Sequence, residues 1–207
     1  MHINFSINGS HCIWKIESPD CLLGLATGIT QDGYLITAAH AAKPHCGVLG
    51  WMEGKLATAR ARVVYKKSFG EPGAEFAILH IENHIDNPLR LEPLKSDQKQ
   101  VYALASELGP NGRLIVLAGQ ILNQSKVGAD EGISVISTNL PTQPGDSGGA
   151  VLSPNGNLIG LNTGFNMPWL SFKVFHTACA PSKELVMSII ERDRQESKKS
   201  MPISKPN

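Results

Sequence analysis

The chain has 207 residues, 42% of them hydrophobic and 18% charged. That suits one large domain or two small ones packed together, and it argues against wholesale disorder. A formal net charge of +1 gives no electrostatic footprint for nucleic acid or an anionic membrane surface.

Short β-rich runs recur between turn signals along most of the chain. HCIWKIES, CLLGLATGIT, GYLITAAH, CGVLGWME and KLATARARVVYKK come first, followed by EFAILHIE and LRLEPL. After DQKQ the pattern resumes with VYALAS, GRLIVLAGQILNQS, GISVISTNL, GGAVLS, NLIGLNTGF and FKVFHTACA. Many short strands without alternating long helices indicate an all-β sandwich or barrel. QDG at 31–33 and NGN at 155–157 suit tight hairpins. The polar segment around 95–99 is the natural seam, dividing the chain into residues 1–97 and 98–193. One helix is predicted, SKELVMSIIERD at 182–193, begun by Pro181 and Ser182 and striped by Leu185, Val186, Ile189 and Ile190. Residues 194–207, RQESKKSMPISKPN, are polar with two prolines and read as a disordered tail.

No apolar run approaches the roughly 20 residues of a membrane-spanning helix, so no membrane insertion is expected. The opening MHINFSINGSHCIWKI alternates where a secretion signal needs a continuous apolar segment. With Met1 as the start, a cytoplasmic location follows. Cys12, Cys21, Cys46 and Cys179 are scattered, with no CxxC pair, and read as idle thiols in a reducing compartment. His11-Cys12 and His45-Cys46 could join Cys21 around zinc only at spacings foreign to closed zinc sites. Neither a metal nor another cofactor is expected.

PGDSGGAV at 144–151 is the stretch with chemistry in it. Glycines around Ser147 let the backbone turn sharply, and they let the amides of Gly145 and Ser147 converge on one carbonyl oxygen. GDSGG also fits the G-x-S-x-G elbow of another hydrolase fold, which requires the order serine, acid, histidine. Downstream of Ser147 the only histidine is His176, with no acid between them, so that order fails. The order histidine, acid, serine remains. His40 ends the β-branched run GYLITAAH beside small residues, where an imidazole can sit in a crevice. His2, His11, His45, His80 and His84 lack such a setting.

TGITQDGYLITAAHAA, EFAILHI and PGDSGGAVLSPNGNLIGLNTG together resemble the three signature blocks of trypsin-like, chymotrypsin-fold serine proteases. DGYLITAAH and LIGLNTG most resemble the HtrA-type and other bacterial or viral branches. The resemblance runs from about residue 21 to 193. It implies two six-stranded antiparallel β-barrels followed by a C-terminal helix, with catalytic residues in the cleft between the barrels. Carried onto this chain, it makes His40 the general base, Glu75 the orienting acid and Ser147 the nucleophile. It makes the amides of Gly145 and Ser147 the oxyanion hole.

Glu75 stands where the family usually has aspartate. Glu71, Glu82, Asp86 and Asp97 also lie between His40 and Ser147, but only Glu75 heads a strand-like run, FAILHI. Glutamate carries the same charge on an arm one methylene longer, and related viral proteases use it here with a cysteine nucleophile. An HtrA-style PDZ domain is not expected in this length. Nor is an activation site whose freed N-terminus would pair with Asp146.

The resemblance also places a specificity pocket, with Pro141 at its base followed by Thr142. Asn162, Thr163 and Gly164 form the opposite wall, and Phe175 to Thr177, including His176, the back. No carboxylate stands at the base to select Arg or Lys. Both a small apolar pocket and a Gln/Glu pocket fit these residues. The implied function is a serine endopeptidase acting on protein or peptide substrates through an acyl-enzyme. A catalytically inactive binding module and a serine esterase on the same fold are the alternatives. The oligomeric state is not legible.

Overall fold

In the computed structural model, which describes residues 12–18, 21–44, 46–52, 55–106, 114–127, 132–166 and 175–200, the β-rich runs become two antiparallel sheets. The first contains β1 (Ile13–Ser18), β2 (Cys21–Gly28), β3 (Tyr34–Thr37), β4 (Gly47–Met52), β5 (Lys55–Arg60), β6 (Arg62–Ser68) and β7 (Glu75–His80). Its order is β5-β4-β1-β2-β3-β7-β6. The second contains β8 (Gln100–Ser106), β9 (Leu114–Val127), β10 (Ile133–Thr138), β11 (Ala150–Leu152), β12 (Leu158–Asn166) and β13 (Phe175–Pro181). These close into a barrel in the order β10-β13-β12-β11-β8-β9. The fold is all-β and chymotrypsin-like, with one helix, α1 (Lys183–Ser200), after the last strand.

The second half is the closed six-stranded barrel. The first half differs from six strands in one respect. KLATARARVVYKK, a single run in the sequence, breaks at Ala61 into β5 and β6, the two edges of a seven-stranded sheet. Ala61 is buried, and its N–H donates to the Cys46 carbonyl at 3.1 Å, so the chain turns a corner there. Because consecutive strands occupy opposite edges, the sheet must curl back on itself into a half-barrel. LRLEPL does not become a strand either. Pro88 and Pro93 remove backbone donors, and only an isolated parallel bridge from Leu91 to Leu158 forms.

Tight turns fall at both predicted hairpins. Gly33 and Gly156 take positive φ, 96° and 80°, where a side chain would be strained. Helix α1 begins with the Ser182 hydroxyl accepting the Leu185 N–H at 3.2 Å. It buries Val186, Ile189 and Ile190. It also runs past the expected end at 193, so residues 194–200 are helix rather than tail. The reason is local: this segment is made of good helix formers, and Arg194 is held from two sides by Asp32 and Glu191.

One apolar core is shared between the halves. Leu25, Ile36, Phe76 and Ile78 of the first sheet pack in the same cluster as Tyr102, Leu161, Cys179 and Val186 of the second half. Phe76, fully buried, sits between the rings of Tyr65 at 5.1 Å and Phe69 at 6.0 Å. Truncating such a residue costs on the order of 3–5 kcal/mol. This continuity fixes strand β7, and with it Glu75, against the barrel that carries Ser147.

Candidate active site

His40 rides on a 3-10 turn, Ala39–Ala41, directly after β3. Ala38, Ala39, Ala41 and Ala42 are all buried, and their small side chains let the turn sink into the sheet while the imidazole stays outside. Two bonds hold the turn. Thr37 Oγ1 donates to the Leu25 carbonyl at 2.6 Å, and Lys66 Nζ donates to the Ala42 carbonyl at 2.7 Å.

Glu75 is the first residue of β7 and approaches from the side. Gly73 makes the preceding turn with φ of 81°, and the Glu75 N–H donates back to the Gly73 carbonyl at 3.1 Å. A Cβ on Gly73 would lie 2.9 Å from Thr177 Cβ, so glycine is what lets this turn touch the second barrel. The Glu75 carboxylate hydrogen-bonds His40 Nδ1. The acid side chain is 19% exposed against 46% for the histidine, so the pair is sheltered on the acid's side. Glu71 lies in the exposed turn four residues earlier. The nearby Cys179 thiol is pushed up to about 12 by burial, against an opposing hydrogen bond with the Glu75 backbone, and is inert.

Ser147 sits in the loop before β11. Gly145 and Gly148 both have positive φ, 101° and 81°. The N–H groups of Asp146, Gly148 and Gly149 are spent on the carbonyls of Gln143, Asn162 and Asp146. Those of Gly145 and Ser147 donate to no acceptor among the described residues. The loop therefore keeps two amides unused at the serine, the arrangement an oxyanion requires. The buried Asp146 carboxylate accepts the Gln143 N–H at 2.8 Å.

The other half grips this loop through its backbone. Leu25 N–H donates to the Ser147 carbonyl at 2.7 Å. A Cβ on Gly24 would lie 2.4 Å from that carbonyl oxygen. Sequence reasoning missed Gly24. Its signal was present, since a glycine inside a strand pattern marks close backbone approach.

His40, Ser147, Gly145, Thr142, Asn162 and His176 line one pocket of about 350 Å³, which Thr163 and Gly164 also border. Thr142 Oγ1 and His176 Nδ1 are 2.8 Å apart. Burial lowers the His176 pKa, with the Asp146 charge opposing. Pro141, expected at the pocket base, is exposed and outside the lining. The Thr142 N–H bonds the Leu140 carbonyl at 2.8 Å, and with Leu140 buried this tight turn throws Pro141 outward. Two larger cavities lie elsewhere among the described residues, one of about 710 Å³ by Arg60, Arg62 and His80 and one of about 770 Å³ by Asp97, Lys99 and Asn123. His11 and His45 lie outside the described residues, and Cys12 and Cys46 are buried free thiols.

A family model for the trypsin-like peptidase domain matches residues 24–161, a span that starts at Gly24 and takes in His40, Glu75 and Ser147. The chain belongs to the trypsin-like peptidase family. No protein of curated function matches this trypsin-like peptidase by sequence. Solved structures share its fold at low identity. The MamO protease domain from Magnetospirillum magneticum is 18% identical with a TM-score of 0.65, over 87% of this chain and 97% of that one. AlgW, an HtrA-type protease solved with a decapeptide, is 20% identical with a TM-score of 0.62, over 89% of this chain and 66% of that longer one. An inactive form of Rv3671c from M. tuberculosis H37Rv is 19% identical with a TM-score of 0.60, over 96% and 92%. No helix among the described residues of this trypsin-like peptidase is long and apolar enough to cross a membrane.

Proposed function

We propose that this chain is a serine endopeptidase that cleaves protein or peptide substrates through His40, Glu75 and Ser147. The observation that carries the reading is the hydrogen bond between Glu75 and Nδ1 of His40, the histidine that lines the same pocket as Ser147. Glu75 on Nδ1 fixes the imidazole so that Nε2 faces the serine side. Ser147 Oγ attacks the scissile carbonyl carbon while His40 Nε2 takes the hydroxyl proton. The carbonyl π pair moves onto oxygen, where the amides of Gly145 and Ser147 receive it. Collapse breaks the C–N bond, and His40 returns the proton to the leaving amine. Water then repeats the sequence on the acyl-enzyme. Glu75 remains a carboxylate throughout, and its charge stabilises the imidazolium.

Intact-mass measurement after treatment with a fluorophosphonate tests this directly. One adduct is expected on the parent, none on Ser147→Ala, and one on Ser153→Ala, whose hydroxyl is buried and donates to Glu92 at 2.8 Å. Labelling of Ser147→Ala at the parent's rate would remove the nucleophile. An unlabelled parent that still binds peptides would make the cleft a binding module. Ester turnover without peptide turnover would make it an esterase.

A further inference from the structure

We propose that the Thr142–His176 pair beside Ser147 reads a carboxamide, so that the substrate residue on the acyl side of the scissile bond is glutamine. This rests on the serine endopeptidase reading above and names its substrate class. Basic side chains are disfavoured first. Among the lining residues the one carboxylate is Asp146, which is 3% exposed and occupied by the Gln143 N–H. An apolar side chain would cover the free donor or acceptor that the Thr142–His176 pair presents without giving it a partner, which costs free energy with no return.

The hydrogen bond at 2.8 Å constrains what the pair can offer. With the Thr142 hydroxyl donating to Nδ1, His176 Nε2 carries its hydrogen and presents a donor. With Nδ1 donating to Thr142, Nε2 presents an acceptor and the hydroxyl hydrogen is released as a donor. Both tautomers of neutral imidazole therefore supply at least one donor, and the second supplies an acceptor as well. A carboxamide, with C=O and NH₂ on one carbon, answers either arrangement. A carboxylate answers only donors.

Two further observations point the same way. Asn162 borders the pocket and is 3% exposed, and its side-chain nitrogen has no partner among the described residues. Buried amides are almost always paired, and among the described residues this one is not. A glutamine that draws the Asn162 amide toward the pocket would pair it whichever end of the amide it meets. Burial keeps His176 toward its neutral form, with Asp146 opposing, and the buried negative charge of Asp146 works against a second carboxylate. Length is accommodated as well. Among the described residues, a Cβ at Gly164 would meet nothing nearer than Thr177 Oγ1 at 4.0 Å, so Gly164 itself leaves room for an extended side chain.

The test reads binding without chemistry, on Ser147→Ala. Product-type peptides that differ only in a C-terminal Gln, Met, Glu or Lys are titrated by calorimetry. Met is the comparator because it nearly matches Gln in shape. Gln is expected to bind tightest, by on the order of tenfold or more, since a site built to hydrogen-bond rejects analogues that lack the group. Thr142→Val in the same background should bring Gln and Met to parity while near-UV circular dichroism stays unchanged. Met or Lys binding as tightly as Gln overturns the proposal, as does Glu binding tighter than Gln, or no peptide binding at all. A Gln preference that survives both Thr142→Val and His176→Phe also overturns it. Because the ranking needs no nucleophile, failed fluorophosphonate labelling of the parent counts against Ser147 alone. A failed ranking counts against the pocket alone.

Discussion

At the cleft, the two halves of this molecule meet through backbone; at the terminal helix, they meet through charged side chains. The cleft seam is built from glycine. Leu25 N–H reaches the Ser147 carbonyl at 2.7 Å, a Cβ on Gly24 would sit 2.4 Å from that oxygen, and one on Gly148 would sit 2.1 Å from the Leu25 carbonyl. The helix seam is built from Asp193, which accepts the Tyr34 hydroxyl at 2.9 Å and the two terminal guanidinium nitrogens of Arg62 at 2.8 Å. Arg194 then reaches both carboxylate oxygens of Asp32 at 2.8 and 2.9 Å. A backbone seam tolerates almost no displacement, whereas long charged side chains can follow a shift. The first therefore sets the geometry of the site, and the second adds to the shared apolar core in holding the halves together. Changes at the cleft should cost rate, and changes at the helix should cost stability.

The largest expected effect is at Glu75. Glu75→Gln keeps the shape but can hold the wrong imidazole tautomer, and the precedent in such triads is a loss of about 10⁴-fold in kcat. Thermal stability should barely move, and Glu71→Gln should be near neutral in both. Gly24→Ala comes next. Backbone must shift at Ser147 to admit the methyl, and ångström-scale misplacement costs about 10²-fold in rate. Peptide-cleavage kinetics beside a melting curve separate the two axes. A Gly24→Ala enzyme with parental kcat and a lowered Tm would erase the distinction between the seams.

Legibility from sequence followed the same divide. Ser147, His40 and Glu75 stood out because glycine spacing and strand ends are local patterns, and the runs that became strands are short, β-rich and bounded by turn residues. What escaped was long-range. Gly24 looked like one weak residue in a strand, and its meaning came only from a partner 123 positions away along the chain. Pro141 was placed by counting back from Ser147, which cannot register a tight turn at Leu140. The corner at Ala61 escaped because its residues suit a strand on both sides. Residues 194–200 read as tail because amphipathic periodicity ends there, while the contact that orders them is to a hairpin near the other end of the chain.

Asp193 gives the middle-sized effect. Arg62 and Tyr34 hold its carboxyl below the usual carboxylate range, against the opposing effect of burial. A depressed folded pKa means the contribution is complete above the unfolded value, near 3.9, and is lost as pH falls through the lower folded value. Asp193→Asn should therefore cost about 1–3 kcal/mol at neutral pH. The gap between variant and parent should close progressively below about pH 4. Urea titrations at several pH values measure this. Turnover per folded molecule should stay parental.

Arg194 gives the smallest effect and the most local one. Its side chain is 30% exposed and Asp32 is 51% exposed, so solvent screens the pair. Exposed pairs are worth about 0.2–1 kcal/mol, and the bidentate geometry places this one toward the upper part of that range. Arg194→Met keeps the helix-forming stem and a contact to the Tyr34 ring, which the guanidinium approaches at 5.3 Å. Global stability should fall by less than about 1 kcal/mol, and raising salt should weaken the parent toward the variant. The informative readout is amide hydrogen exchange along α1. Residues 183–193 are anchored by Val186, Ile189 and Ile190 in the shared core, so their protection should persist. Residues 195–199 are exposed, and without the Asp32 tether their amides should exchange faster. Equal protection in variant and parent would mean that helix propensity alone orders the last turns, and the helix seam would then end at Asp193.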